Sequence, residues 1–180
     1  MKKLLFTALA FISVFLFACT NEGNSGNDNI SKARDIMKGI ETGDTTKFTS
    51  IADDAVDHAG PYGEVRSGDS IKGYLTEMHN HIRDLKIEIL GEAASGDYVY
   101  TWSKMTGTAL DSAMGFPPNQ PFSISGVDIT KFRDGKIVEH WGTIDQKDLM
   151  LMRAQQMPNA TTVKVTMGDT TDNKRDTTKR

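Results

Sequence analysis

Asp128 and His140 stand on either side of an Asp134-Gly135 turn signal. A carboxylate facing an imidazole can take a proton from a bound molecule and hand it back. Whether they face each other depends on the hairpin register, and two registers are open. A two-residue type I′ turn at Asp134-Gly135 pairs Asp128 with Trp141. A three-residue loop, Arg133-Asp134-Gly135, with a left-handed Gly135 and a bulge, pairs Phe132 with Lys136, Thr130 with Val138 and Asp128 with His140. The two are exclusive, because a slip of one residue turns every side chain to the opposite face. The three-residue loop is favoured. It sets Asp128 beside His140 and leaves Val127, Ile129, Ile137 and Trp141 together as an apolar surface on the other face. The competing role for the pair is a cross-strand contact that only holds the sheet together.

Other candidates are fewer. Tyr100 and Trp102 share one face of a predicted strand and could wall an apolar ligand site, although packing against helices is an equal use for them. His79 and His81 lie two apart on a predicted helix, so they diverge and do not make a metal pair. No metal-ligating cluster, phosphate-cradling glycine loop or nucleophile elbow is present in the sequence, so no metal or cofactor is expected.

The elements that must position these residues are legible from periodicity. Ile30, Ala33, Ile36 and Ile40 recur at helical spacing behind a plausible N-cap at Ser31, and Thr42-Gly43-Asp44 stops that helix. A short helix is predicted from Thr45 to about Ala52, then a brief strand at Val56-Asp57-His58 and a turn at Gly60-Pro61-Tyr62-Gly63. Ile71, Tyr74, Leu75, Met78 and Ile82 give a third helix, starting near Ser67 or Asp69, one apolar face. The period then changes to two. Strands are predicted around Leu85–Ile89, from Tyr98 to about Thr108, over Phe122–Arg133 and over Lys136–Ile144. Asp145 can cap a last helix through about Gln155. Helices followed by a run of antiparallel strands indicate an α+β domain, with helices on one face of a curved sheet.

Around this domain the composition shifts. Lys2 and Lys3 precede an almost unbroken apolar run from Leu4 to Phe17, shorter than the about 20 residues a membrane-spanning helix needs. It fits a signal peptide. The run closes on Leu16-Phe17-Ala18-Cys19, which resembles a lipobox, and Cys19 is the single cysteine of the chain. Residues 1–19 are thus expected to be a lipoprotein signal ending at a lipidated Cys19, with the protein anchored in the bacterial cell envelope, at the outer membrane or cell surface. Residues 20–30 read as a flexible tether, 31–156 as the folded domain and 157–180 as a disordered polar tail. A chain of 180 residues suits one domain, and its net charge of -3 with scattered basic residues argues against a nucleic-acid partner.

The span from about Ser31 to Gln155 resembles a SnoaL-like domain (polyketide cyclase type) of the nuclear-transport-factor-2-like superfamily. The resemblance rests on Val56-Asp57-His58, Gly107-Thr108, Phe116-Pro117-Pro118 and above all the run from Gly126 to Glu139-His140-Trp141. It implies a cone whose open end is a mostly apolar pocket, cofactor-independent cyclase or isomerase chemistry, and a small apolar partner that carries a carbonyl. Asp128 and His140 would be its acid/base pair, and His58 would project into the pocket from the first strand, with Tyr100 and Trp102 as walls. One departure stands out: cyclase relatives commonly carry aspartate just after the His-Trp pair, where this chain has Gly142. A non-catalytic ligand-binding module, or a homodimer formed through the convex sheet face, is therefore the alternative.

Overall fold

The computed structural model describes residues 22–60 and 63–156. The expected signal peptide, lipidated Cys19 and polar tail lie outside the described residues. Among the described residues, no helix is long and apolar enough to cross a membrane.

Helix α1 (Glu22–Thr42) starts well before Ser31, so most of the expected tether is helix instead. The reason is tertiary. Asn29 is buried, a side chain at Gly26 would already touch the Cβ of Ala94, and Arg34 pairs with Glu92 at 2.6 Å. Docking on the sheet stabilises a polar, Gly/Asn-rich segment whose intrinsic helix propensity is poor. Gly43, with φ +72°, ends the helix as expected. A single 3₁₀ helix (Thr45–Ser50) follows, started by Asp44, whose carboxylate accepts the Thr46 N–H at 3.1 Å.

Strand β1 (Ile51–Asp57) begins five residues earlier than the predicted Val56 and buries Ile51, Ala55 and Asp57. After the two-residue β2 (Val65–Arg66), Ser67 caps α2 (Gly68–Asn80), which turns Ile71 and Leu75 into the core. Then come β3 (Ile82–Ser95), β4 (Tyr98–Ala109), β5 (Pro121–Arg133) and β6 (Lys136–Ile144). The last helix, α3 (Gln146–Gln156), is capped by Asp145, which accepts the Lys147 N–H at 2.8 Å. Asp148 accepts the Ser125 N–H at 2.8 Å and fastens α3 to β5.

The six strands form one open sheet in the order β2-β1-β6-β5-β4-β3. The sheet is mixed rather than purely antiparallel, because β6 returns beside β1 in the same direction. Helices α1 and α2 cover one face, and Phe48, Val99, Phe132 and Ile137 belong to the core between the layers. The fold is the expected α+β cone.

The β5–β6 hairpin corrects the favoured register. Asp134 (φ 52°) and Gly135 (φ 70°) are both left-handed, and Arg133 pairs with Lys136 across them. This is the two-residue type I′ turn, for which Asp-Gly is suited. A bulge then skips Val138, so that Lys131 pairs with Glu139, Thr130 with His140 and Asp128 with Gly142. Asp128 and His140 are therefore diagonal neighbours on one face rather than direct partners. Ile137 lies before the bulge and pairs with core Phe132, which turns it inward, so it does not join Val127 and Trp141 on the outer face.

Candidate functional site

Between the inner sheet face and helices α1 and α2 lies a cavity of about 410 Å³. Its walls are apolar: Ile36 and Ile40 from α1, Ile71 and Leu75 from α2, Ile124 from β5 and Ile137 from β6. Phe116, from the β4–β5 loop, also lines it and stacks on Phe122 with ring centroids 3.9 Å apart. The Phe116-Pro117-Pro118 segment thus contributes wall as well as connection.

The polar groups gather on the inner faces of neighbouring strands. Strand alternation presents Asp57 of β1, His140 of β6, Asp128 and Thr130 of β5, and Ser103 of β4 to the cavity. His140 sits between two carboxylates. Its Nδ1 is 2.9 Å from Asp57 Oδ1, and its Nε2 is 3.1 Å from Asp128 Oδ1. Asp57 Oδ1 also accepts the Ala59 N–H at 2.8 Å, while the Ser103 hydroxyl reaches Asp128 Oδ2 only at 3.5 Å. The Asp57 side chain is 5% exposed, Asp128 23% and His140 27%.

This geometry dictates protonation. A neutral imidazole has one N–H, yet both nitrogens here face a carboxylate oxygen, so the arrangement is satisfied by the imidazolium. Burial of the ring lowers its pKa, but the hydrogen bonds and negative charges of Asp128 and Asp57 outweigh that and bring it up to about 9. For Asp57, burial pushes upward, and His140 together with the Ala59 N–H holds the carboxyl below its ordinary value. Asp57 was not singled out from the sequence. The signal was the alternation of Ala55 and Asp57 against Val56 and His58, hidden because the strand was started too late.

Three expected ligand-binding residues are corrected. His58 turns to the outer face, where it stacks on Trp141 (centroids 4.9 Å apart, 11° between planes) and pairs with Glu64 at 2.8 Å. Tyr100 and Trp102 are 39% and 53% exposed on the side of β4 away from the cavity. Their neighbours Val99, Thr101 and Ser103 are buried on the inner side instead, and Ser103 lines the cavity. Gly142 also lies against the site: a Cβ there would be 3.3 Å from Asp128 Oδ1 and 3.6 Å from His140 Cε1. The Asp128 carboxylate, reaching across the hairpin, thus occupies the space beside Gly142.

Comparison with known proteins places this geometry in context. The profile of the SnoaL-like polyketide cyclase family matches residues 32–153. A search of the curated proteins found no match. Among solved structures, TsrD from Streptomyces laurentii is similar at 16% identity and a TM-score of 0.61, covering 73% of this chain and 95% of that one. IdmH from Streptomyces antibioticus, a candidate polyketide cyclase, is 24% identical with a TM-score of 0.57 over 70% of this chain and 98% of its own. AclR from Streptomyces galilaeus, a candidate hydroxylase, is 24% identical with a TM-score of 0.60 over 74% and 99%. At these identities the structural likeness carries the fold alone.

Proposed function

The chain belongs to the SnoaL-like polyketide cyclase family, and on that premise we propose that it binds a small, apolar, carbonyl-containing molecule and moves a proton on it with Asp128 and His140. One observation carries this reading: a doubly clamped imidazolium and two carboxylates stand in a mostly apolar cavity. Asp128 is the base. It is more exposed than Asp57, and its Oδ2 is left for substrate while Oδ1 stays on His140. Removing a proton next to the carbonyl yields an enolate. That enolate is then reprotonated at another carbon or adds to a second carbonyl, with the proton returned from Asp128. His140 holds Asp128 in place through Oδ1, and Asp57 orients the ring through Nδ1.

The test is exchange of the α-protons of 2-tetralone in heavy water, followed by proton NMR with the full-length chain. Saturable exchange is expected, falling by about 100-fold or more in Asp128→Asn. Exchange no faster than that given by the same concentration of acetate contradicts catalysis. Gly142, in place of the aspartate common in cyclase relatives, favours the second reading, a module that binds without reacting. Saturable binding of the ketone with no exchange selects it. Exposed Tyr100, Trp102 and Val127 on the outer sheet face support its dimerising form, which a concentration-dependent mass in sedimentation would reveal.

The proposal also sets the domain on a membrane of the cell envelope through lipidated Cys19. It is supported by the apolar run ending at Ala18-Cys19, three residues before α1 begins at Glu22. Cys19→Ala is expected to move the protein from the membrane to the soluble fraction. Full retention in the membrane overturns the anchor.

A further inference from the structure

The charges around the cavity do not balance. Asp57 and Asp128 are two carboxylates, and His140 supplies one positive charge between them. Among the described residues lining the cavity there is no lysine or arginine, and the remaining ionisable group is the Tyr74 phenol. The floor therefore carries one net negative charge in a mostly apolar surround.

That surplus has an address. Asp57 Oδ1 is held by both His140 and the Ala59 N–H. Asp128 spends Oδ1 on His140, and among the described residues its Oδ2 receives the long 3.5 Å approach of the Ser103 hydroxyl alone. A carboxylate can accept about four hydrogen bonds, so Oδ2 retains capacity toward the cavity. Elsewhere in the cavity Met78, Met105 and Met114 supply adaptable, polarisable wall for the apolar body of a ligand.

We infer that the ligand of this cavity carries a protonated amine on its apolar body, with the ammonium on one lone pair of Asp128 Oδ2 and the other lone pair left for the proton that Asp128 removes. This rests on the reading of the cavity as a ligand site and adds to it the charge of the ligand. An ammonium neutralises the floor and meets the under-used oxygen. A neutral ligand does neither, and a carboxylate meets repulsion, since the His140 imidazolium already has both N–H groups on Asp57 and Asp128.

Three matched probes test it by calorimetry on the full-length chain at neutral pH: 4-phenylbutan-2-amine, 4-phenylbutan-2-one and 3-phenylpropionate. The amine is expected to bind at least tenfold more tightly than the ketone, and the acid not at all. Asp128→Asn is expected to narrow the gap between amine and ketone to less than threefold. Ketone binding equal to or tighter than that of the amine, or any comparable binding of the acid, overturns the amine while leaving the cavity as a ligand site. No binding of any of the three overturns both.

Discussion

Asp57 and His140 are Cα partners across the parallel pairing of β1 with β6, and the Asp57 carboxylate accepts the Nδ1–H of His140 at 2.9 Å. This contact joins the N-terminal strand to the C-terminal strand at the cavity wall. It also fixes which ring nitrogen faces Asp128, so the proposed chemistry and the seating of β1 against β6 depend on the same carboxylate.

Asp57→Ala removes an almost fully buried acceptor and leaves the imidazolium Nδ1–H and the Ala59 N–H without it. Breaking one partner of such a pair costs about 3 kcal/mol. Urea unfolding should show that loss through a lower midpoint at unchanged slope. A midpoint equal to wild type would mean that the contact contributes nothing.

Stability should fall as the solution becomes alkaline. The pKa of His140 is raised in the folded state from 6.5 to about 9. Its contribution is therefore fully present below pH about 6.5 and lost as pH rises through about 9. The integrated effect is on the order of 3 kcal/mol. Asp57 works in the opposite direction: its pKa is lowered, so its contribution is lost on acidification below the ordinary carboxylate range. Unfolding measured between pH 6.5 and 9.5 should show a decline that His140→Gln flattens. An equal decline in that variant would assign the alkaline loss to other groups.

Gly142→Ala places a methyl group 3.3 Å from both Ala59 Cβ and Asp128 Oδ1. Asp128 must give way, weakening its bond to His140. A stability loss of about 1 kcal/mol is expected, together with a fall in the His140 pKa. Wild-type values for both would show that Asp128 does not depend on the bare glycine opposite it.

Trp102→Ser and Tyr100→Ser alter the outer sheet face alone. Each should change stability by no more than about 0.5 kcal/mol and leave ketone affinity within twofold of wild type. A large loss of ligand affinity in either variant would put the binding site on the wrong face of the sheet.

Much of the fold was legible because local pattern and tertiary role agree. In α2 the Ile71/Leu75 spacing is both a helix signal and the buried face. Strand β6 ends where its alternation and the following Asp145 cap require. The failures share a cause: long-range contacts with no local signature. Helix α1 extends back to Glu22 because Gly26 and Arg34 dock on Ala94 and Glu92 of β3. Strand β1 begins at Ile51 because that residue pairs with Ile137, far away in sequence. The bulge at Val138 is the most instructive case. The turn was misjudged by one residue, and the bulge shifted the pairing onward while leaving Asp128 and His140 on a common face. Alternation across the observed two-residue turn alone would put these two residues on opposite faces, so their proximity rests on the bulge, and Asp57 required knowing that β1 lies against β6.

The most direct test of the account is the titration of His140 by nitrogen-detected NMR in the full-length chain, alongside Asp128→Asn. The account predicts an imidazolium that persists through neutral pH and titrates near 9, with a clearly lower value in the variant. A wild-type value near 6.5 that Asp128→Asn leaves unmoved would contradict the clamped imidazolium, and with it the chemistry proposed for the cavity.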